Sequence, residues 1–191
     1  MSSAMRPILI ACENGTVVAD IGRALAVQGF RPYVANYPQA LDALEADHYD
    51  ALLVVPAFAA IDKNDIAACV ADELTRNFEL IQRFVRQAIA QNKAGHVTVL
   101  LSGAAAMGDP ADSGASALGG GMISLVRTLA LELKRLRMTA NAVLFELAVD
   151  NIANSADVAA LVETLLLQPG CAISGQTIFA CSATDAGRLH P

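Results

Sequence analysis

The chain has 191 residues and a formal net charge of −6, with 54% hydrophobic and 17% charged residues. This length predicts a single domain over residues 1–191, and the composition excludes an intrinsically disordered chain. The excess of acidic residues argues against a nucleic-acid partner. The longest nearly uncharged apolar stretch, around residues 51–61, is too short to span a membrane, and the N-terminus shows no signal-peptide pattern. We therefore expect a cytoplasmic protein whose apolar excess covers a subunit interface.

The cysteines and histidines predict neither a disulfide framework nor a metal site. The four cysteines are far apart in apolar surroundings and form no Cys-x-x-Cys pair, so we interpret them as buried reduced thiols. The three histidines do not cluster, whereas metal ligands must lie close together. These residues are Cys12, Cys69, Cys171, Cys181, His48, His96 and His190.

Apolar, strand-like segments alternate with helical patterns along the chain. Strands are predicted at residues 7–12, 32–35, 50–56, 97–101, 140–145 and 176–181. Helices are predicted at residues 16–28, 39–46, within 65–91, at about 116–136 and at 156–167. We expect Gly29 to close the first helix, Pro56 to end the third strand and Ser155 to cap the last helix. The alternation predicts an α/β protein with a Rossmann-like, doubly wound parallel sheet of about six strands.

Two long helices carry apolar residues on more than one face. In the first of them, Leu80 and Phe84 lie off the main stripe, which indicates burial on two sides. The sheet can cover one side and a second subunit the other. The main stripe of the first helix is Leu74, Phe78, Ile81, Val85 and Ala88, and that of the second is Leu118, Met122, Leu125, Leu129 and Leu133.

The turn after the first strand, ACENGTVVADIG, is a poor dinucleotide site. Such a site needs a glycine-rich turn that lets the backbone approach a pyrophosphate. Here Gly15 is the one glycine in the turn itself, and Glu13 adds negative charge where the pyrophosphate would lie. After the second strand, Asn36 stands where an acidic ribose ligand is needed, and we interpret it as a turn residue. The other positions of this degenerate turn are Cys12, Thr16 and Val18.

Three segments in the second half of the chain share one pattern. Residues 97–103 read VTVLLSG, residues 124–143 read SLVRTLALELKRLRMTANAV, and residues 157–180 read DVAALVETLLLQPGCAISGQTIFA. They resemble, in turn, the serine-bearing strand, the active-site helix with its following strand, and the C-terminal signature of short-chain dehydrogenase/reductases. The resemblance extends over nearly the whole chain and is strongest from residue 97 to residue 180.

The resemblance implies a catalytic set of Asn, Ser, Tyr and Lys. Asn77 falls on the asparagine position and Ser102 on the serine position. Ala115 replaces the tyrosine that acts as general acid/base, and Gly119 replaces the lysine that lowers the tyrosine pKa and holds the cofactor ribose. Because alanine cannot donate a proton, we expect no independent dehydrogenase activity and interpret Asn77 and Ser102 as relics. The three tyrosines, Tyr33, Tyr37 and Tyr49, are not expected near Ser102.

Further departures from the family pattern affect the cofactor and substrate regions. The family's Asn-Asn-Ala-Gly turn is replaced by VVPA at residues 54–57, and its Pro-Gly pair by Phe145 and Glu146. Between residues 34 and 50 the chain is too short for the usual third strand and its helix. Between residues 145 and 156 it is too short for the substrate-covering region. We therefore expect this chain to bind no cofactor.

The glycines at 119–121 allow two interpretations. One is a cradle for a phosphate or a CoA group. The other, which we favour because no basic residue lies beside them, is close packing or a delayed helix start. Asp109 and Asp112 are interpreted as solvated turn residues, and Ser102 as a hydrogen-bonded loop hydroxyl rather than a catalyst.

The leading hypothesis is a non-catalytic subunit that assembles with an active short-chain dehydrogenase, which binds NAD(P), in a heterotetramer of two copies of each. The substrate of such a complex would be a hydroxyacyl-CoA or a similar thioester. Residues 186–191 would extend toward the partner's substrate pocket. One alternative is a stand-alone ligand-binding or regulatory protein that uses the vacated cleft, and another is an enzyme with a new acid or base facing Ser102. The expected interface residues are Leu80, Phe84, Leu125, Leu129, Leu133 and Ile178.

Overall fold

The computed structural model describes residues 5–13, 15–57, 61–62, 64–145, 147–148, 151–152, 155–168 and 172–180. The strands are β1 (Arg6–Cys12), β2 (Phe30–Ala35), β3 (Ala51–Val55), β4 (Gly95–Ser102), β5 (Met138–Phe145), β6 (Leu147–Ala148), β7 (Asn151–Ile152) and β8 (Thr177–Ala180). The helices are α1 (Gly15–Val27), α2 (Tyr37–Ala46), α3 (Ile66–Ala90), α4 (Gly103–Met107), α5 (Ser113–Leu133) and α6 (Ser155–Leu167).

Six strands form one parallel sheet in the order β2-β1-β3-β4-β5-β8, which confirms the predicted fold class. The chain passes from β1 to β2 on one side and then returns to β3 on the other side of β1. The carboxyl ends of β1 and β3 therefore flank the point where the strand order reverses. Strand β2 lies at the edge of this sheet, where Pro32 is tolerated because one side of an edge strand is unpaired.

Helices cover both faces of the sheet because successive side chains of each strand point to opposite faces. On β1, Ile8 and Ile10 pack with α1 and α6, whereas Leu9 and Ala11 pack with α2, α3 and α5. The molecule is thus a three-layer sandwich with two apolar cores. The two cores lie on the faces of the sheet. Side chains from several elements can therefore meet at the carboxyl ends of the strands.

Helix α3 is buried on two sides, as its apolar residues predict, and most of its main stripe packs into the core. Leu80 and Phe84 are only 1% and 0% exposed, whereas Phe78 is 45% exposed. The face that meets the sheet also carries Glu73 and Asn77, and because these residues are polar, the sequence alone does not identify this face as buried. Phe78 is therefore the stripe residue that lies outside the core, and Leu80 and Phe84, which we expected at a partner interface, lie inside it.

Helix α5 begins at Ser113 and ends at Leu133, three residues earlier at each end than predicted. The glycines at 119–121 therefore lie inside the helix, where backbone N–H groups bond to carbonyls four residues earlier and cannot cradle a phosphate. A Cβ added to Gly121 would lie 2.9 Å from a terminal methyl of Leu74 on α3. Close packing is thus the correct interpretation at Gly121, and a delayed helix start is wrong.

By length and composition alone, α5 could also cross a membrane. In the structure it lies on the sheet, with Leu118, Met122 and Val126 fully buried in the core that it shares with α3. An apolar core helix passes the same compositional test, so this helix carries no independent sign of a membrane.

The other elements agree with the predictions apart from small shifts of their ends, except for the short antiparallel pair β6 and β7, which was not predicted. Gly29 has a φ of +90° and follows α1, as expected of a helix-closing glycine. Strand β3 ends at Val55, immediately before Pro56. The short helix α4 lies where a loop was predicted. Ser155 is the first residue of α6 rather than the residue that precedes it, because the helix begins one residue earlier than expected.

Candidate functional site

A small pocket lies at the carboxyl ends of β1 and β3, where a doubly wound sheet binds its ligand. Strands β1 and β3 supply its floor, and α2 and α3 supply its walls. The lining residues are Ala11, Cys12, Glu13, Tyr37, Val55, Glu73, Arg76, Asn77 and Leu80. We call this pocket the cleft.

Two side chains of α3 fill the cleft from within. Glu73 and Asn77 are both buried, and they lie one helical turn apart on the same face. Glu73 Oε1 accepts hydrogen bonds from the backbone N–H of Ala57 at 2.8 Å and from Asn77 Nδ2 at 3.0 Å. Asn77 Nδ2 also donates to the backbone oxygen of Glu73 at 2.7 Å. The Asn77 amide is thus committed to an internal network.

The space that remains in the cleft is about 20 Å³. That volume holds about one water molecule, whereas cofactor pockets usually measure about 300–1,000 Å³. Glu13 and Glu73 line this space together with one cation, Arg76, whose Nη1 lies 3.9 Å from Glu73 Oε2, so the net charge of the described lining is negative and disfavours a pyrophosphate. The residues of the cleft therefore do not fit a dinucleotide.

Tyr37 lines the cleft, which the sequence did not reveal. Its hydroxyl donates a hydrogen bond to Glu79 Oε2 at 2.7 Å. Burial, together with this carboxylate, raises the pKa of Tyr37 to about 12. Hydride chemistry needs a phenol whose pKa is pulled toward neutrality, so the shift at Tyr37 is in the wrong direction for a general acid. Tyr37 follows β2 by two residues, and that position at a strand's carboxyl end was the one signal that could have identified it.

The degenerate turn contributes core residues and a helix start rather than a ligand site. Cys12 and Val18 are buried in the core beneath α1, and Gly15 and Thr16 lie in the first turn of that helix. Asn36 caps α2, because its side-chain oxygen accepts a hydrogen bond from the backbone N–H of Gln39 at 3.2 Å. Asn36 is therefore a helix cap rather than the turn residue that we expected.

Ser102 is the last residue of β4 and lies beside Phe145 of β5. It precedes α4 but makes no side-chain hydrogen bond to that helix, and the described residues offer its hydroxyl no other partner. Ser102 does not line the cleft that contains Asn77. The two relics of the implied catalytic set are thus not brought together in this pocket.

Ala115 and Gly119 are both buried in α5. The backbone N–H of Ala115 donates to the Asp112 carboxylate at 2.9 Å, so Asp112 is the helix cap rather than a solvated turn residue. Asp109 does form a turn, accepting a hydrogen bond from the N–H of Ala111 at 2.8 Å. At the positions implied for the acid and the lysine, α5 therefore carries two residues without a titratable side chain.

The structure also corrects the expected interface residues. Leu80, Phe84, Leu129 and Leu133 are between 0% and 7% exposed within the chain's own core, which leaves them little surface for a partner. Leu125 and Ile178 are half-buried and remain available as predictions. Exposed apolar side chains elsewhere on these elements include Phe78, Ile89 and Phe179.

Several sequence-based predictions lie outside the described residues. They concern Glu146, Cys171, Cys181, His190 and the tail at 186–191. Within the described part of the chain, Cys12 is buried and Cys69 half-buried, and no group of three or more His, Cys, Asp or Glu side chains could hold a metal ion.

Solved structures of oxidoreductases share this fold. A short-chain dehydrogenase/reductase family oxidoreductase from Burkholderia thailandensis matches with a TM-score of 0.76 at 18% identity, over 98% of each chain. 4-Hydroxyisoleucine dehydrogenase, solved with NADH and succinate, matches with a TM-score of 0.76 at 14% identity, over 94% of this chain and all of that one (100%). A variant of actinorhodin polyketide ketoreductase, solved with NADPH, matches with a TM-score of 0.74 at 16% identity, over 95% of this chain and 98% of that one.

The sequence itself matches no protein-family model and no curated protein. At identities of 14% to 18%, the structural likeness establishes a Rossmann-like fold shared with short-chain dehydrogenases. It does not establish an activity, which depends on the residues of the site.

Proposed function

We propose that this chain is a non-catalytic subunit that assembles with and stabilises an active NAD(P)-dependent short-chain dehydrogenase. The observation that carries the proposal is the cleft, in which Glu73 and Asn77 occupy the ligand space and leave about 20 Å³. Ala115 and Gly119 stand where the resemblance implies the general acid and the lysine. This supports the same conclusion, since the fold is kept without the residues that hold the cofactor and protonate the substrate.

Exposed apolar residues provide the surface for such assembly. Phe78 and Ile89 on the outer side of α3 are 45% and 47% exposed, and Phe179 on the edge strand β8 is 39% exposed. Large apolar side chains that a single chain leaves in water gain free energy when a partner covers them. These residues lie on elements through which the resemblance implies subunit contacts.

In the proposed complex the partner holds the NAD(P) and performs the hydride transfer. We place the assembly in the cytoplasm, as a heterotetramer of two copies of each chain that acts on a hydroxyacyl-CoA or similar thioester. One complex of this kind is the 2-[hydroxy(phenyl)methyl]succinyl-CoA dehydrogenase of anaerobic toluene degradation, which pairs an active with an inactive subunit. Heteromeric 3-oxoacyl-thioester reductases are the competing assignment.

The proposal is tested by native mass spectrometry of this chain expressed together with the product of a neighbouring dehydrogenase gene. We expect a mixed complex in which the partner alone binds NAD(H). The substitution Phe78→Asp places a charge on the outer face of α3 and should lower the yield of mixed complex about tenfold or more.

Val27→Asp is the matched control, because Val27 is 88% exposed on α1, away from the proposed interface. It should leave the complex intact, and thermal unfolding of both variants alone should show that each is folded. A homo-oligomer that ignores the partner, or equal losses in the two variants, would contradict the proposal.

A further inference from the structure

A larger concave surface lies at the other end of the sheet from the cleft, at the amino end of β5. Its volume is about 460 Å³, within the range of small-molecule sites. Helix α5 forms one wall, the segment 172–175 before β8 forms the other, and Met138 lies between them. We call this surface the α5 groove. Its lining residues are Arg127, Ala130, Leu131, Lys134, Met138, Ala172, Ser174 and Gly175.

The wall opposite α5 is held in place by hydrogen bonds to β5. The N–H of Gly175 donates to the carbonyl of Ala140 at 2.7 Å, and the N–H of Ala140 donates to Ser174 Oγ at 3.2 Å. Asn141 Nδ2 donates to the carbonyl of Ile173 at 3.0 Å. Because Ser174 accepts here, its own hydroxyl hydrogen is left to donate toward the groove. A wall fixed in this way makes a preformed site, which lowers the entropic cost of binding.

The charge of the groove is opposite to that of the whole chain. Arg127 and Lys134 line it, and neither forms an ion pair or a hydrogen bond with a described residue. No carboxylate is among the described lining residues, although the chain's net charge is −6. The two cations are seven residues apart on α5, or about 10 Å along its axis. Between them lies Leu131, which is 77% exposed.

We propose that the α5 groove binds an amphipathic organic anion, namely a carboxylate with an apolar body of about six to ten carbons, a length comparable with the distance of about 10 Å along α5 from Arg127 to the end of the helix. The carboxylate pairs with Arg127, whose planar guanidinium can bond both oxygens. Lys134 lies at the end of α5, where helix carbonyls concentrate negative charge, and it offsets their repulsion of the ligand. The apolar body lies against the exposed side chain of Leu131, because Ala130 packs against Gly175 of the opposite wall.

The groove shares no residue with Phe78, Ile89 and Phe179, on which the proposed assembly rests, so binding to the isolated chain tests it separately from that assembly. The test is a titration of octanoate into the full ¹⁵N-labelled chain, followed by amide NMR, with 1-octanol as the neutral control of the same length. We expect saturable shifts for amides in 127–134 and 172–175, and octanoate binding at least about fivefold tighter than octanol binding because of the charge-assisted pair.

Arg127→Gln should weaken octanoate binding about tenfold, because it removes that pair. Arg135→Gln is the matched control, since Arg135 is an exposed cation on the same segment that does not line the groove, and it should change the dissociation constant less than about twofold. The amide spectra also report whether each variant is folded. Absence of localised shifts, equal affinity for octanol, or equal effects of the two variants would overturn the proposal.

Discussion

Among the single residues, His96 has a pKa that its buried surroundings lower strongly. It lies near the start of β4, is 7% exposed, and has its Nδ1 2.9 Å from Thr139 Oγ1 of β5. Burial, and to a lesser extent the positive charge of Arg6, lower the pKa of His96 from 6.5 to about 4, with Asp50 opposing the shift. The folded chain therefore keeps this imidazole neutral at pH values where the unfolded chain protonates it.

This shift predicts that the chain loses stability on mild acidification. Because the unfolded state binds the proton more tightly, the contribution of His96 is complete above about pH 6.5 and is lost progressively down to about pH 4. The loss at pH 5 relative to pH 7 should be about 2 kcal/mol. Urea unfolding across this range measures it, and His96→Gln should reduce the slope of stability against pH. An unchanged slope in that variant would contradict the assignment.

Among the elements, α5 is distinguished by glycines with different surroundings. A Cβ added to Gly120 meets nothing within 4 Å, so Gly120→Ala should stabilise the chain by about 0.5–1 kcal/mol through reduced freedom of the unfolded state. A Cβ added to Gly114 would lie 2.5 Å from Ile61 Cγ2, so Gly114→Ala should destabilise it by about 1–3 kcal/mol. Chemical unfolding followed by circular dichroism compares the two. Equal effects would show that Gly114 is not packed closely beneath Ile61.

For the whole molecule, the filled cleft predicts that the isolated chain does not bind NADH. A space of about 20 Å³ is too small for a pyrophosphate, and in its described lining the carboxylates of Glu13 and Glu73 outnumber the one cation, Arg76. Isothermal titration calorimetry should show no saturable heat up to about 1 mM NADH, a limit that corresponds to binding weaker than about 4 kcal/mol. An active short-chain dehydrogenase serves as the positive control. Saturable binding below that concentration would contradict the filled cleft.

Local patterns in the sequence determined the order and type of the elements. The continuous apolar run at residues 7–12 predicts β1, and the longer apolar segment at residues 156–167 predicts α6, without reference to the rest of the chain. The absence of an acid at Ala115 and of a lysine at Gly119 is visible in residue identity alone. The capping role of Asn36 is local as well, since it acts across three residues, although the sequence led us to interpret Asn36 as a turn residue.

Only the tertiary structure decided which surfaces meet. Helix α3 is apolar on two faces, so nothing local to it says that Phe84 enters the core while Phe78 remains outside. The bond from Tyr37 to Glu79 joins residues 42 apart, and the α5 groove brings Arg127 beside Ser174. Such contacts depend on how distant segments pack against a common sheet, and the free energy of burying a side chain depends on those neighbours rather than on sequence spacing. The filling of the cleft and the charge of the groove therefore became visible only in the folded chain.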